Sequence, residues 1–68
     1  MANQMIPARY RMTIPDAAQA LARTHFWVWS RVMQGRIRGK REGSRWIVDR
    51  RDVARFAAEQ RAQQATAR

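Results

Sequence analysis

Two threonines and a glycine punctuate the first half of this chain so closely that little choice of local structure is left. Thr13 precedes "IPDAAQAL" and Thr24 precedes "HFWVWSRVMQ", and each offers the side-chain oxygen that helix N-termini take up. Pro15 falls in a first turn, where its missing N–H costs little, and Asp16 stands three residues after Thr13 as a short capping box. Met12 and Ala17 are spaced for a hydrophobic staple across that start. Gly35 is well suited to a helix C-terminus. The spacing therefore predicts one short helix from Thr13 to about Ala22 and a second from Thr24 to Gln34. With only a residue or two between them the helices must cross steeply, which is the helix-turn-helix arrangement, although the turn carries Arg23 rather than a glycine.

After Gly35 the period changes. "RIRGKREGSRWIVD" alternates about a central "EGS", with Ile37 on one arm and Trp46 and Val48 at alternate positions on the other. This predicts a two-stranded hairpin with its apolar face inward and basic residues at its tip. Asp49 is placed to cap a third helix, with Asp52 three residues on and Val53 and Phe56 facing the core. Beyond Ala57, "AEQRAQQATAR" has high helix propensity and no apolar stripe, so residues 58–68 are expected to form a helical extension or a disordered tail. Residues 1–11 have no sustained period and are expected to be a flexible arm. Residues 12–57 form the domain, a small α+β fold with two short helices, a two-stranded basic hairpin and a C-terminal helix.

Composition narrows the function. With 68 residues and no cysteine, no disulfide or thiolate–metal staple is on hand and a compact apolar core must hold the fold. Fourteen Lys and Arg, thirteen of them Arg, face five Asp and Glu, for a net charge of +9. The planar guanidinium suits phosphate, and the excess is concentrated between Arg31 and Arg51, so a polyanion is the expected partner. Charges interrupt the chain too often for a membrane helix, and Met1 to Arg9 lacks the apolar stretch of a signal peptide. A cytoplasmic location, in a bacterial or phage-infected cell and close to the nucleoid, is expected. His25 is the sole histidine, and no carboxylate stands at a base or metal-ligand spacing. No enzymatic activity, cofactor, metal or small-molecule ligand is expected.

Helix, turn, helix, basic hairpin, helix is an order with a known counterpart. In "TIPDAAQAL", Val28, "GRI" at Gly35 to Ile37 and "RWIVDRRDVARF" at Arg45 to Phe56, the chain resembles the excisionase-type winged helix-turn-helix proteins related to the MerR group. The resemblance spans Met12 to Phe56. It implies a sequence-specific double-stranded DNA-binding domain whose second helix enters the major groove while the hairpin, as a wing, tracks a phosphate strand or the adjacent minor groove. Excisionases of phages and mobile elements bind and bend DNA to direct an integrase toward excision, so an integrase is an implied partner. Relatives of similar size are small transcriptional regulators, repressors or activators, which implies RNA polymerase instead. An RNA-binding or protein-adaptor module is a further alternative, but single-strand readers present aromatics on a sheet or a glycine-rich clamp, and neither pattern is found.

With Val28 and Val32 turned inward, His25 and Trp29 fall on or beside the core face, while Trp27, Ser30, Arg31 and Gln34 point away and Phe26 and Met33 lie on a flank. Trp29 is then expected to close the core against the first helix. Thr24, Ser30, Arg31 and Gln34 are candidates for polar base readout, since Arg can grip guanine, Gln adenine, and Ser or Thr either base edges or phosphate. For Thr24 helix capping competes. No carboxylate lies one turn from Arg31. Phe26 and Trp27, where the family favours small or polar residues, are candidates for contact with thymine methyl groups, sugar edges or a neighbouring protomer; a rotated helix burying one of them against the wing is the alternative. Arg38, Lys40, Arg41 and Arg45 are the expected phosphate contacts of the wing. Further copies of the chain on adjacent DNA sites are expected, because the helix after Phe56 has no apolar heptad to hold a dimer in solution.

Overall fold

The computed structural model describes residues 6–66. A 3₁₀ turn (Ala8–Tyr10) leads into β1 (Arg11–Thr13), α1 (Ile14–Leu21), α2 (His25–Met33), β2 (Gly39–Glu42), β3 (Arg45–Asp49) and α3 (Arg50–Thr66). Both threonines cap as their spacing predicts. Thr13 Oγ1 accepts from the Asp16 N–H at 3.2 Å and Thr24 Oγ1 from the Trp27 N–H at 3.0 Å. At the far end of α2, Gly35 takes a positive φ of 79°. The N–H groups of Arg36 and Gly35 then bond back to the carbonyls of Arg31 and Val32 at 2.9 and 3.0 Å, which completes a Schellman motif. The end of α1 has no glycine, and Ala22 adopts the left-handed conformation in its place, φ 54°.

The hairpin turns through Gly43 and Ser44. Its positive φ of 63° is confined to Gly43, as in the two-residue II′ turn, whose twist matches that of the strands it joins. The expected two-stranded hairpin is, however, part of a three-stranded antiparallel sheet in the order β1-β3-β2. Arg11, Met12 and Thr13 pair with Asp49, Val48 and Ile47. Three residues are too few to show an alternation, and their partner lies far along the chain, so local pattern could not announce the strand. The expected arm is corrected with it: Met1 to Met5 lie outside the described residues, but Ile6 is buried, and the rest of the segment is turn and strand.

Ala17, Ala18 and Leu21 of α1, Val28 and Val32 of α2, Ile37, Val48 and Val53 form the core. Trp27, Trp46, Met12 and Phe56 pack around it. The alanines let α2 approach α1 closely, and Gly39 does the same for the hairpin, because a Cβ there would lie 2.7 Å from Val32 Cγ1. On the other sheet face Ile47 is also buried, and Arg11 joins Glu42 in an ion pair across β3 on that side. α3 stays helical through Thr66, and the Gln60 amide donates to the Leu21 carbonyl at 3.1 Å, so the C-terminal extension secures the end of α1. Among the described residues no helix is long and apolar enough to cross a membrane.

Candidate nucleic-acid interface

α2 carries its valines inward as expected, yet its flanks are the reverse of those expected. Trp27, not Trp29, packs against the core. Its ring meets Phe56 of α3 edge-on at 5.8 Å between centroids, with the Arg31 and Arg23 guanidinium groups 4.4 and 5.0 Å from its centre. Trp29 is 40% exposed and stacks on Phe26 at 6.0 Å. Two inward valines allow either neighbouring flank to be covered, and what decides is Phe56, three elements on in sequence. The expectation that Trp29 closes the core fails for that reason.

The same geometry redistributes the residues expected to read bases. The Thr24 oxygen is occupied in capping. The Ser30 hydroxyl donates to the Phe26 carbonyl at 2.8 Å, a bond along its own helix. Arg31, expected to point away, lies half-buried along Trp27. Gln34 and Phe26 project outward, Phe26 with 72% of its surface exposed. With Trp29 and Met33, Phe26 makes an apolar stripe at i, i+3 and i+7 along the open side of α2.

The hairpin cations divide between two sheet faces. By register, Lys40 and Arg45 stand on the face of Ile47, and Arg41 stands on that of Trp46. Lys40 and Arg45 are exposed and have no ion-pair partner among the described residues. Arg41 braces the turn, its Nε donating to the Gly43 carbonyl at 3.1 Å. Arg38 is loosely held, its Nε 3.5 Å from Asp52 and its side chain 59% exposed. Arg36, whose backbone N–H closes the Schellman motif, leaves its guanidinium exposed, as does Arg50. A groove lined by Thr13, Ile14, His25, Arg45 and Trp46 runs between the starts of α1 and α2 and the hairpin tip.

The acids are mostly withdrawn from this surface. Asp49 is buried and caps α3 by accepting the Arg51 N–H at 2.8 Å, while the Arg51 side chain, which also lies over Tyr10, pairs with its carboxylate. Those hydrogen bonds from Arg51 hold the Asp49 carboxyl below the usual carboxylate range. Asp52 is buried too; instead of capping its own helix, it accepts the Arg38 N–H at 2.8 Å and pairs with Arg55, fixing the base of the hairpin to α3. Glu42 is held below its ordinary value by its hydrogen bonds from Arg11. Sequence reasoning missed Arg11, because a residue assigned to an arm has no partner to suggest. Among the described residues no cluster of three or more His, Asp or Glu side chains is set to hold a metal ion.

No protein-family model, curated protein or solved structure matches this chain. Its function has to be read from geometry and charge. What the geometry offers is one open helix face, apolar along its length and free of acids, with exposed guanidinium and ammonium groups at its C-terminal end and on the neighbouring hairpin.

Proposed function

We propose that this chain is a winged helix-turn-helix protein that binds double-stranded DNA sequence-specifically, with α2 as the recognition helix and the β2–β3 hairpin as the wing. One observation carries the reading. Arg36, just past the end of α2, and Lys40 and Arg45 of the hairpin are exposed and without carboxylate partners among the described residues, while Glu42, Asp49 and Asp52 are paired or buried. Unpaired cations past the end of a helix and on a neighbouring hairpin suit contact with phosphate. Within this class we favour an excisionase of a phage or mobile element, which binds and bends DNA beside an integrase, over a dimeric MerR-like regulator. α3 supports the choice, since past Ala57 it consists of alanine and polar residues, exposed over 61–65, with no seam for a coiled coil.

The test is the salt dependence of duplex binding. Several neutralised phosphates should give a slope of log affinity against log salt of about −4 to −6. Lys40→Ala and Arg45→Ala should each reduce its magnitude by about 1 and weaken all sequences alike. A flat response rejects DNA binding. Protection mapping across an attachment site and a promoter separates the excisionase from the regulator, according to which of the two is covered.

A further inference from the structure

The helix proposed to enter the groove has few polar groups left with which to read it. Thr24 and Ser30 have their hydroxyls in bonds to the helix backbone, and Arg31 lies along Trp27. What the open side of α2 presents instead is Phe26, Trp29 and Met33, exposed by 72%, 40% and 48%. Resting on the DNA-binding reading, we infer that this stripe is a reader of C5-methyl groups, so that the protein distinguishes base pairs chiefly by the thymine methyl.

Three observations support that occupant. The stripe runs along the helix at i, i+3 and i+7, and the methyl of thymine is the apolar group that the major groove offers to such a surface. Phe26 and Trp29 are stacked at 6.0 Å and so form one continuous apolar surface. The surroundings are basic, with no acid from His25 to Arg41 and a net charge of +9 on the whole chain. A second copy docked face to face would bring like charges together, whereas a polyanion neutralises them.

The experiment compares alternating A·T and A·U duplexes of equal length, which differ only in the C5-methyl in the major groove. Fluorescence anisotropy should show tighter binding to the thymine duplex, by about fourfold for each methyl the stripe covers. Alternating G·C duplexes with and without 5-methylcytosine should differ in the same direction. The triple variant Phe26→Ala, Trp29→Ala, Met33→Ala should bind thymine and uracil duplexes equally while keeping the salt slope; all three side chains are exposed, and a thermal melt confirms that the fold is retained. Equal binding of the two duplexes by the wild type, with a normal salt slope, overturns the methyl reading and leaves DNA binding standing. No binding to any duplex overturns the DNA reading itself. If thymine and uracil duplexes bind alike and the wild type self-associates at micromolar concentration through Phe26 and Met33, the stripe belongs to a second copy instead.

Discussion

Trp27 and Trp29 are two residues apart on one helix and have opposite tasks. Trp27 combines partial burial, an edge-on contact with Phe56 and two guanidinium neighbours. Its truncation to Ala should cost about 2–3 kcal/mol, less than the loss of a fully buried aromatic. Trp29→Ala should change stability by less than about 1 kcal/mol. Urea midpoints of the two variants check the difference, and equal losses would mean that Phe56 does not govern the helix phase. Asp49 ties the stability of the fold to acid pH. Because Arg51 holds its carboxyl below the ordinary value, its contribution is complete above the unfolded value of about 3.9 and is lost as pH falls through the depressed folded value. Melting temperatures followed from pH 5 downward should drop for the wild type. They should drop less for Asp49→Asn, which keeps an oxygen for capping and removes the charge, and an equally steep fall in the variant would show that another group controls acid unfolding.

Between elements, β2 comes close to α2 at Gly39. A methyl group there meets Val32 Cγ1 at 2.7 Å, and valine has no flexible end to move aside. Gly39→Ala should therefore destabilise by about 1–3 kcal/mol. Adding Val32→Ala, which opens the space, should make the pair less costly than the sum of the single changes, a coupling that denaturant titration of the four proteins measures. Helix starts and stops were readable in the sequence because a cap is a local event: Thr13 and Thr24 bond three residues ahead, and Gly35 closes a turn with its own neighbours. The pairing of β1 and the choice of Trp27 as the buried flank were not readable, since each depends on a contact with residues far along the chain, Ile47 to Asp49 in one case and Phe56 in the other. The candidate interface follows the same division. Its cations were legible as composition and hairpin periodicity, while the engagement of Ser30 and Arg31, which leaves the apolar stripe facing outward, is a property of the folded helix.

At the scale of the whole molecule, α3 bears on assembly. It packs on α1, and residues 61–65 are exposed alanine and polar residues. Without DNA, sedimentation should report a monomer of 8.0 kDa, and more than one copy should load on tandem or inverted sites, where the duplex raises the effective concentration of neighbours. A dimer that survives dilution to micromolar concentration without DNA would contradict this. The sheet order has a different consequence, in time rather than in space. Both edge strands are hydrogen-bonded to β3, and β3 is the last of the three in the chain. On the ribosome, then, β1 and β2 wait for residues 45–49 to emerge before either gains a partner, and α1 and α2 meanwhile stand with Leu21, Val28 and Val32 uncovered by the sheet. A nascent chain halted at Ser44 would be a helical pair with an open apolar face, a substrate for chaperones, and the sheet would then assemble in one late step once the central strand is free.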